Sequence, residues 1–182
     1  MIREPNKYYF AASEVIDWKH PEVFALAQQL ANGLIGSEQL ARICQRWIME
    51  NIADGQAKPD SGVSCSASEV LRLGQGSSFS RSHLLAALLR ANGLASSFCY
   101  QRKQFATGEF GLYGYCAVWL SGCGWYPLEV ALPAQQPICY HLSEQHCRIY
   151  SYAPLAEIVR VLQRADCWGA AHTMLPDTIS MG

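Results

Sequence analysis

Charge is scarce in this chain. Only 16% of its 182 residues are Asp, Glu, Lys or Arg, and they nearly cancel to a net charge of −1. No basic run occurs, so nothing electrostatic points to nucleic acid or an anionic membrane as a partner. Long apolar runs are missing as well, and no stretch reaches the ~20 residues that a membrane-crossing helix needs. The opening Met1-Ile-Arg-Glu-Pro-Asn-Lys7 lacks the apolar centre of a signal peptide. The expectation is a soluble cytoplasmic protein.

Also lacking is any Cys-x-x-Cys pair, although eight cysteines are present: Cys44, Cys65, Cys99, Cys116, Cys123, Cys139, Cys147 and Cys167. Scattered cysteines without a secretion signal read as reduced, buried, small hydrophobic residues. The nearest approach to a metal pattern is Cys139-Tyr-His141 followed by His146-Cys147. That spacing matches no common zinc module, so neither a metal nor another cofactor is expected.

Half of the residues are hydrophobic. A domain of this size buries roughly 70% of its unfolded surface and needs no covalent staples. With no repeat, low-complexity tract or composition break, residues 1–182 read as a single domain.

The first half has helical periodicity. Pro21 starts a helix that buries Val23, Leu26, Ala27, Leu30 and Ala31 and ends before Gly33. Ser37 is placed to cap a second helix carrying Leu40, Ala41, Ile43, Cys44, Trp47 and Ile48. After a Gly/Lys/Pro/Asp/Ser loop at 55–64, Ser66-Ala-Ser-Glu69 forms a capping box for a short helix that stops at Gly74. From Phe79 to Asn92 the chain is Leu- and Ala-rich on nearly every side, which predicts a helix buried all round, with Gly93 as its stop. Gly74 and Gly76 let the backbone turn tightly into it.

The second half changes period. Residues 95–101, 112–120 and 125–131 are aromatic and β-branched and read as strands, the last two joined by a turn at Ser121-Gly-Cys-Gly124. A further short pair is expected near 138–141 and 147–150. Pro154 opens a final amphipathic helix with Leu155, Ile158, Val159 and Leu162. Helices first and antiparallel strands second define an α+β fold, with a central helix packed on an antiparallel sheet.

Ser78 stands where that central helix begins. A side chain there feels the positive end of the helix dipole and the unpaired N–H groups of the first turn. Such a place suits a nucleophile with an oxyanion site beside it. It equally suits a plain N-cap, since serine is a preferred capping residue.

The segment from Gly74-Gln-Gly76 to Ser82-His-Leu84 and Leu88-Leu-Arg-Ala-Asn-Gly93 resembles the signature of transglutaminase-like domains, relatives of the papain-like cysteine proteases. Phe98-Cys-Tyr-Gln101, Leu112-Tyr-Gly-Tyr-Cys-Ala-Val118 and Gly124-Trp-Tyr126 extend the likeness across most of the chain. The resemblance implies a papain-like fold and a site built from Cys, His and Asp. By correspondence with those motifs the cysteine position falls on Ser78, the histidine on Tyr113 and the aspartate on Glu129. All three depart from the family pattern, and the stretch after the aspartate reads Val130-Ala-Leu-Pro133.

Chemistry gives these departures weight. A helix dipole worth about 1 kcal/mol cannot ionise a serine hydroxyl, which therefore needs a general base. A tyrosine with an ordinary pKa of about 10 is protonated at neutral pH and is a poor one. Cysteine-type acyl transfer is therefore not expected. Cys116 lies three residues past Tyr113 and faces the other way on a strand, His83 is more than a turn from Ser78, and Cys65 sits in a loop with no base. Tyr113 and Glu129 share a face if the turn between their strands has three or five residues, but not four. Ser78, Tyr113 and Glu129 could then form a hydrogen-bonded chain, the economical arrangement for buried polar groups.

Two functions follow. One is a repurposed enzyme acting on an amide, acyl or carbonyl group of a small molecule or peptide held in a cleft. The other is an inactive relative that binds such a ligand, or a protein, without turning it over.

Overall fold

The computed structural model describes residues 4–33, 36–55, 59–104, 110–130 and 151–176. After a 3-10 turn at Lys7–Phe10 come helices α1 (Pro21–Ala31) and α2 (Ser37–Asn51), then a two-residue strand β1 (Ala53–Asp54). Helix α3 (Ala67–Leu73), strand β2 (Gln75–Gly76) and helix α4 (Ser78–Ala91) follow. The antiparallel sheet comprises β3 (Ser96–Gln104), β4 (Phe110–Leu120) and β5 (Gly124–Leu128), in that order, and the described chain ends with α5 (Ala156–Arg164) and α6 (Trp168–Met174).

The expected α+β architecture is what forms. Every residue of α4 from Ser78 to Arg90 is buried, because α1, α2 and α3 pack on its flanks and β3 and β4 on its remaining side. A helix enclosed all round has no use for a polar stripe, which is why its sequence shows no helical amphipathicity. On β4, Leu112, Cys116, Val118 and Leu120 join the main core with α4, whereas Tyr113, Tyr115 and Ala117 form a second cluster with Cys99 and Trp125.

The local signals around α3 hold atom by atom. Ser66 accepts from the Glu69 N–H while Glu69 reaches back to the Ser66 N–H, and Gly74 closes the helix in the left-handed region at φ 64°. Other expectations need correction. Gly36, not Ser37, is the N-cap of α2. The helix after Pro154 is followed by another, α6, which short length and weak patterning hide in the sequence. The parallel pair β1–β2 has no periodicity to read at two residues each, yet its register of Asp54 with Gly76 carries Asp54 to the start of α4. The short strands expected near 138–141 and 147–150, with the Cys139/His141/His146/Cys147 group, lie outside the described residues. Among the described residues no cluster suits a metal ion and no helix is long and apolar enough to cross a membrane.

Of the six described cysteines, Cys44, Cys65, Cys99 and Cys116 are buried and all six are free. Burial pushes the thiols of Cys44, Cys65 and Cys116 up to about 12. Cys65 is therefore packed rather than reactive, its backbone carbonyl bonded to His83.

Candidate functional site

The start of α4 is crowded with backbone. A Cβ on Gly76 would lie 2.8 Å from Ser80 Oγ and 3.3 Å from Arg81 Cγ, and a Cβ on Gly114 would lie 2.6 Å from the Phe79 ring. The two glycines thus let β2 and β4 close on the first turn of α4. Ser77 is the N-cap, and its hydroxyl accepts from the Ser80 N–H at 3.2 Å. Ser78 is the first helical residue, which corrects the reading of Ser78 as a cap. Once Ser80 is served, the N–H groups of Ser78 and Phe79 make no hydrogen bond to a described residue, as the first turn of a helix allows.

The serines around this turn differ sharply. Ser77 and Ser80 hydroxyls lie 3.0 Å apart, Ser64 reaches Ser80 at 3.3 Å and the Gln75 carbonyl at 3.1 Å, and Ser82 donates to the Ser78 carbonyl at 2.7 Å. Among the described residues Ser78 Oγ has no hydrogen-bond partner, although the residue is 1% exposed. A buried hydroxyl left unmatched costs about 1–3 kcal/mol.

Tyr113 is buried on β4, where it is paired in register with Gln101, and its ring lies 6.3 Å from that of Tyr115. The β4–β5 turn holds three residues, since Leu120 pairs with Gly124, and Trp119 pairs with Trp125. That register puts odd-numbered positions of both strands on one face, so Glu129, just past the end of β5, follows the parity of Tyr113. This is the face turned away from α4. Glu129 is half-buried, its carbonyl accepts from Gln45 Nε2 at 2.8 Å, and its Oε2 is buried without a hydrogen bond. Neither link of the expected hydrogen-bonded chain, Ser78 to Tyr113 or Tyr113 to Glu129, is formed among the described residues. At the serine end the cause is the pleat, which turns Tyr113 to the opposite side from the positions that pack on α4.

What links the two sides is a residue that the sequence reading passed over. Arg81 is three residues past Ser78 and so on the same helical face. Burial lowers its pKa, while Asp54 and Tyr113 act in the opposite direction. Both therefore lie near it, although no hydrogen bond or ion pair joins either of them to it. Its Nε is buried without a hydrogen bond, and no described carboxylate forms an ion pair with it. A charged residue in the first turn of a helix buried all round was the available sequence signal.

His83 has a packing role. Its Nδ1 lies 2.7 Å from the Cys65 carbonyl, its ring meets Phe98 edge-on at 5.6 Å, and burial lowers its pKa to about 4. It is neutral at physiological pH, with its proton on Nδ1.

A buried helix packed on an antiparallel sheet is the frame of the papain-like class. Solved structures share this fold. A candidate cysteine protease from Cytophaga hutchinsonii superposes with a TM-score of 0.57 at 15% identity, over 67% of this chain and 40% of that one. The periplasmic domain of TgpA from Pseudomonas aeruginosa gives 0.51 at 15% identity, over 67% of this chain and 45% of that one. This chain thus spans less than half the length of either. No curated protein matches the sequence. The profile of the transglutaminase-like superfamily matches residues 25–130, and the chain belongs to that superfamily.

Proposed function

We propose that the head of α4 is a ligand site in which Ser78, Tyr113 and Glu129 stand where the resemblance puts Cys, His and Asp. The site acts on an amide, acyl or carbonyl group of a small molecule or peptide. The observation that carries this reading is the hydroxyl of Ser78, unmatched among the described residues while those of its neighbours Ser64, Ser77, Ser80 and Ser82 are bonded. An arriving ligand atom is one partner that can satisfy such a buried hydroxyl. A carbonyl oxygen arriving here would meet that hydroxyl and the free N–H groups of the first turn, the arrangement that stabilises an oxyanion. The six cysteines among the described residues are all free, which suits a reducing compartment and so a cytoplasmic location.

A second reading, binding without turnover, is favoured by one fact: no base is hydrogen-bonded to Ser78 Oγ. A fluorophosphonate probe followed by peptide mass spectrometry separates the two. Catalysis predicts an adduct on Ser78 that Ser78→Ala abolishes and Tyr113→Phe slows at least tenfold. An unlabelled Ser78 in intact, folded protein leaves binding without nucleophilic chemistry.

A further inference from the structure

We infer that Arg81 anchors a carboxylate of the ligand at the head of α4, so that the substrate class is acidic. The inference deepens the reading above and rests on that end of the helix being a ligand site. Arg81 is 5% exposed. Its Nε has no hydrogen bond, and no described residue forms an ion pair with it. A guanidinium keeps its proton at any physiological pH, so this is a buried charge and not a neutral side chain. Buried charges are paired unless something else supplies the partner.

The same helix shows what a structural arginine looks like. Arg90 donates from Nε to Ser96 Oγ at 2.9 Å, from Nη1 to the Ala11 carbonyl at 2.8 Å, and from Nη2 to the Ser96 and Tyr152 carbonyls at 2.9 and 2.6 Å. Among the described residues Arg81 has no comparable set, although the same helix builds one at Arg90.

Direction and charge identify the ligand. Helical side chains lean toward the helix N-terminus, and Asp54, which acts on Arg81, is carried to that end by the β1–β2 pair. Its stem lies against Gly76, where no side chain intervenes. Ser78, one turn back on the same face, offers the second unmatched donor. The fork of a guanidinium fits a carboxylate or a phosphate. Asp54 already sets one negative charge in the field of Arg81, so a monoanionic carboxylate is favoured over a dianionic phosphate. Its source is either a small acid or the free C-terminus of a peptide.

The test titrates the whole chain with N-acetylglycine, its neutral amide N-acetylglycinamide, inorganic phosphate, and the tripeptide Ala-Ala-Gly with a free or an amidated C-terminus. Tryptophan fluorescence and melting temperature are followed. N-acetylglycine is expected to bind saturably and to raise the melting temperature, with the amide at least tenfold weaker and phosphate weaker than the carboxylate. Arg81→Met is expected to lose at least tenfold in carboxylate affinity, and Arg81→Lys, which keeps charge but not the fork, severalfold. A free-acid tripeptide that binds at least tenfold tighter than N-acetylglycine assigns the peptide source, and equal binding assigns the small acid.

Equal binding of acid and amide, tighter binding of phosphate, or an Arg81→Lys affinity equal to wild type overturns the inference, whether or not Arg81→Met folds. Ser78→Ala separates the two readings. If Ser78 takes no fluorophosphonate yet Ser78→Ala still binds N-acetylglycine through Arg81, catalysis falls and the anchor stands. A labelled Ser78 without carboxylate selectivity gives the reverse.

Discussion

Arg81 and Arg90 lie nine residues apart on one helix, and only Arg90 is saturated with hydrogen bonds. At 3.6 residues per turn that spacing sets them on opposite faces. Arg90 ties α4 to the chain at Ala11, to the start of β3 at Ser96, and to Tyr152, and its guanidinium sits 5.7 Å from the centre of the Phe98 ring.

Replacing Arg90 should therefore harm the fold, and replacing Arg81 should not. Arg90→Met removes the charged hydrogen bonds now accepted by the buried Ser96 carbonyl and the part-buried Ala11 and Tyr152 carbonyls, each worth about 1.5–3 kcal/mol. A loss of at least about 3 kcal/mol is expected from urea denaturation. Arg81→Met removes an unpaired buried charge and is expected to leave stability equal or higher. The reverse order would mean that Arg81 is a structural residue.

The serines offer a second contrast. Ser78→Ala deletes a hydroxyl with no partner and should raise stability by about 1 kcal/mol, whereas Ser80→Ala breaks the network with Ser77 and Ser64 and should lower it by about 1 kcal/mol. Denaturant midpoints measured without ligand decide this. Equal losses in both variants would show that Ser78 Oγ has a partner in solution.

His83 sets an acid limit on stability. Burial holds its pKa at about 4 in the folded chain, with the nearby Arg90 charge acting in the same direction, against about 6.5 unfolded. Between those values the unfolded chain binds more protons. The full contribution is present above pH 6.5 and is lost as pH falls toward 4, by about 1.4 kcal/mol per unit and about 3 kcal/mol in all. Stability curves from pH 7 to 4 should flatten in His83→Gln, which keeps a donor for the Cys65 carbonyl but does not titrate. An unchanged slope in that variant would remove His83 as the cause.

Gly114 is the contact on which the α4–β4 approach turns. Gly114→Ala sets a methyl 2.6 Å from the Phe79 ring, which is itself buried and stacked on Tyr100 at 6.3 Å. Overpacking of this kind costs about 1–3 kcal/mol. Pairing it with Phe79→Leu should recover part of that loss, and the double-mutant cycle measures how much. Additive losses would show that the two residues are not in contact.

Much of this architecture was legible in the sequence. The capping box at Ser66–Glu69, the all-round burial of α4 and the hairpin at Gly122–Gly124 are written in windows of four to about fifteen residues, where capping and periodicity act. The position of Ser78 at the head of α4 was legible too. Three things were decided only in three dimensions. Ser77 takes the capping role because its hydroxyl, not that of Ser78, reaches the Ser80 N–H. The pleat of β4 sends Tyr113 to the face opposite the one that packs on α4, so side chains that the motif pattern groups together are not hydrogen-bonded through Ser78. The β1–β2 pair, too short to carry a pattern, brings Asp54 to the start of α4 and into the field of Arg81. Local backbone preferences fix where elements start and stop. Which buried charges and hydroxyls find partners depends on segments far apart in the chain, and only their packing settles it.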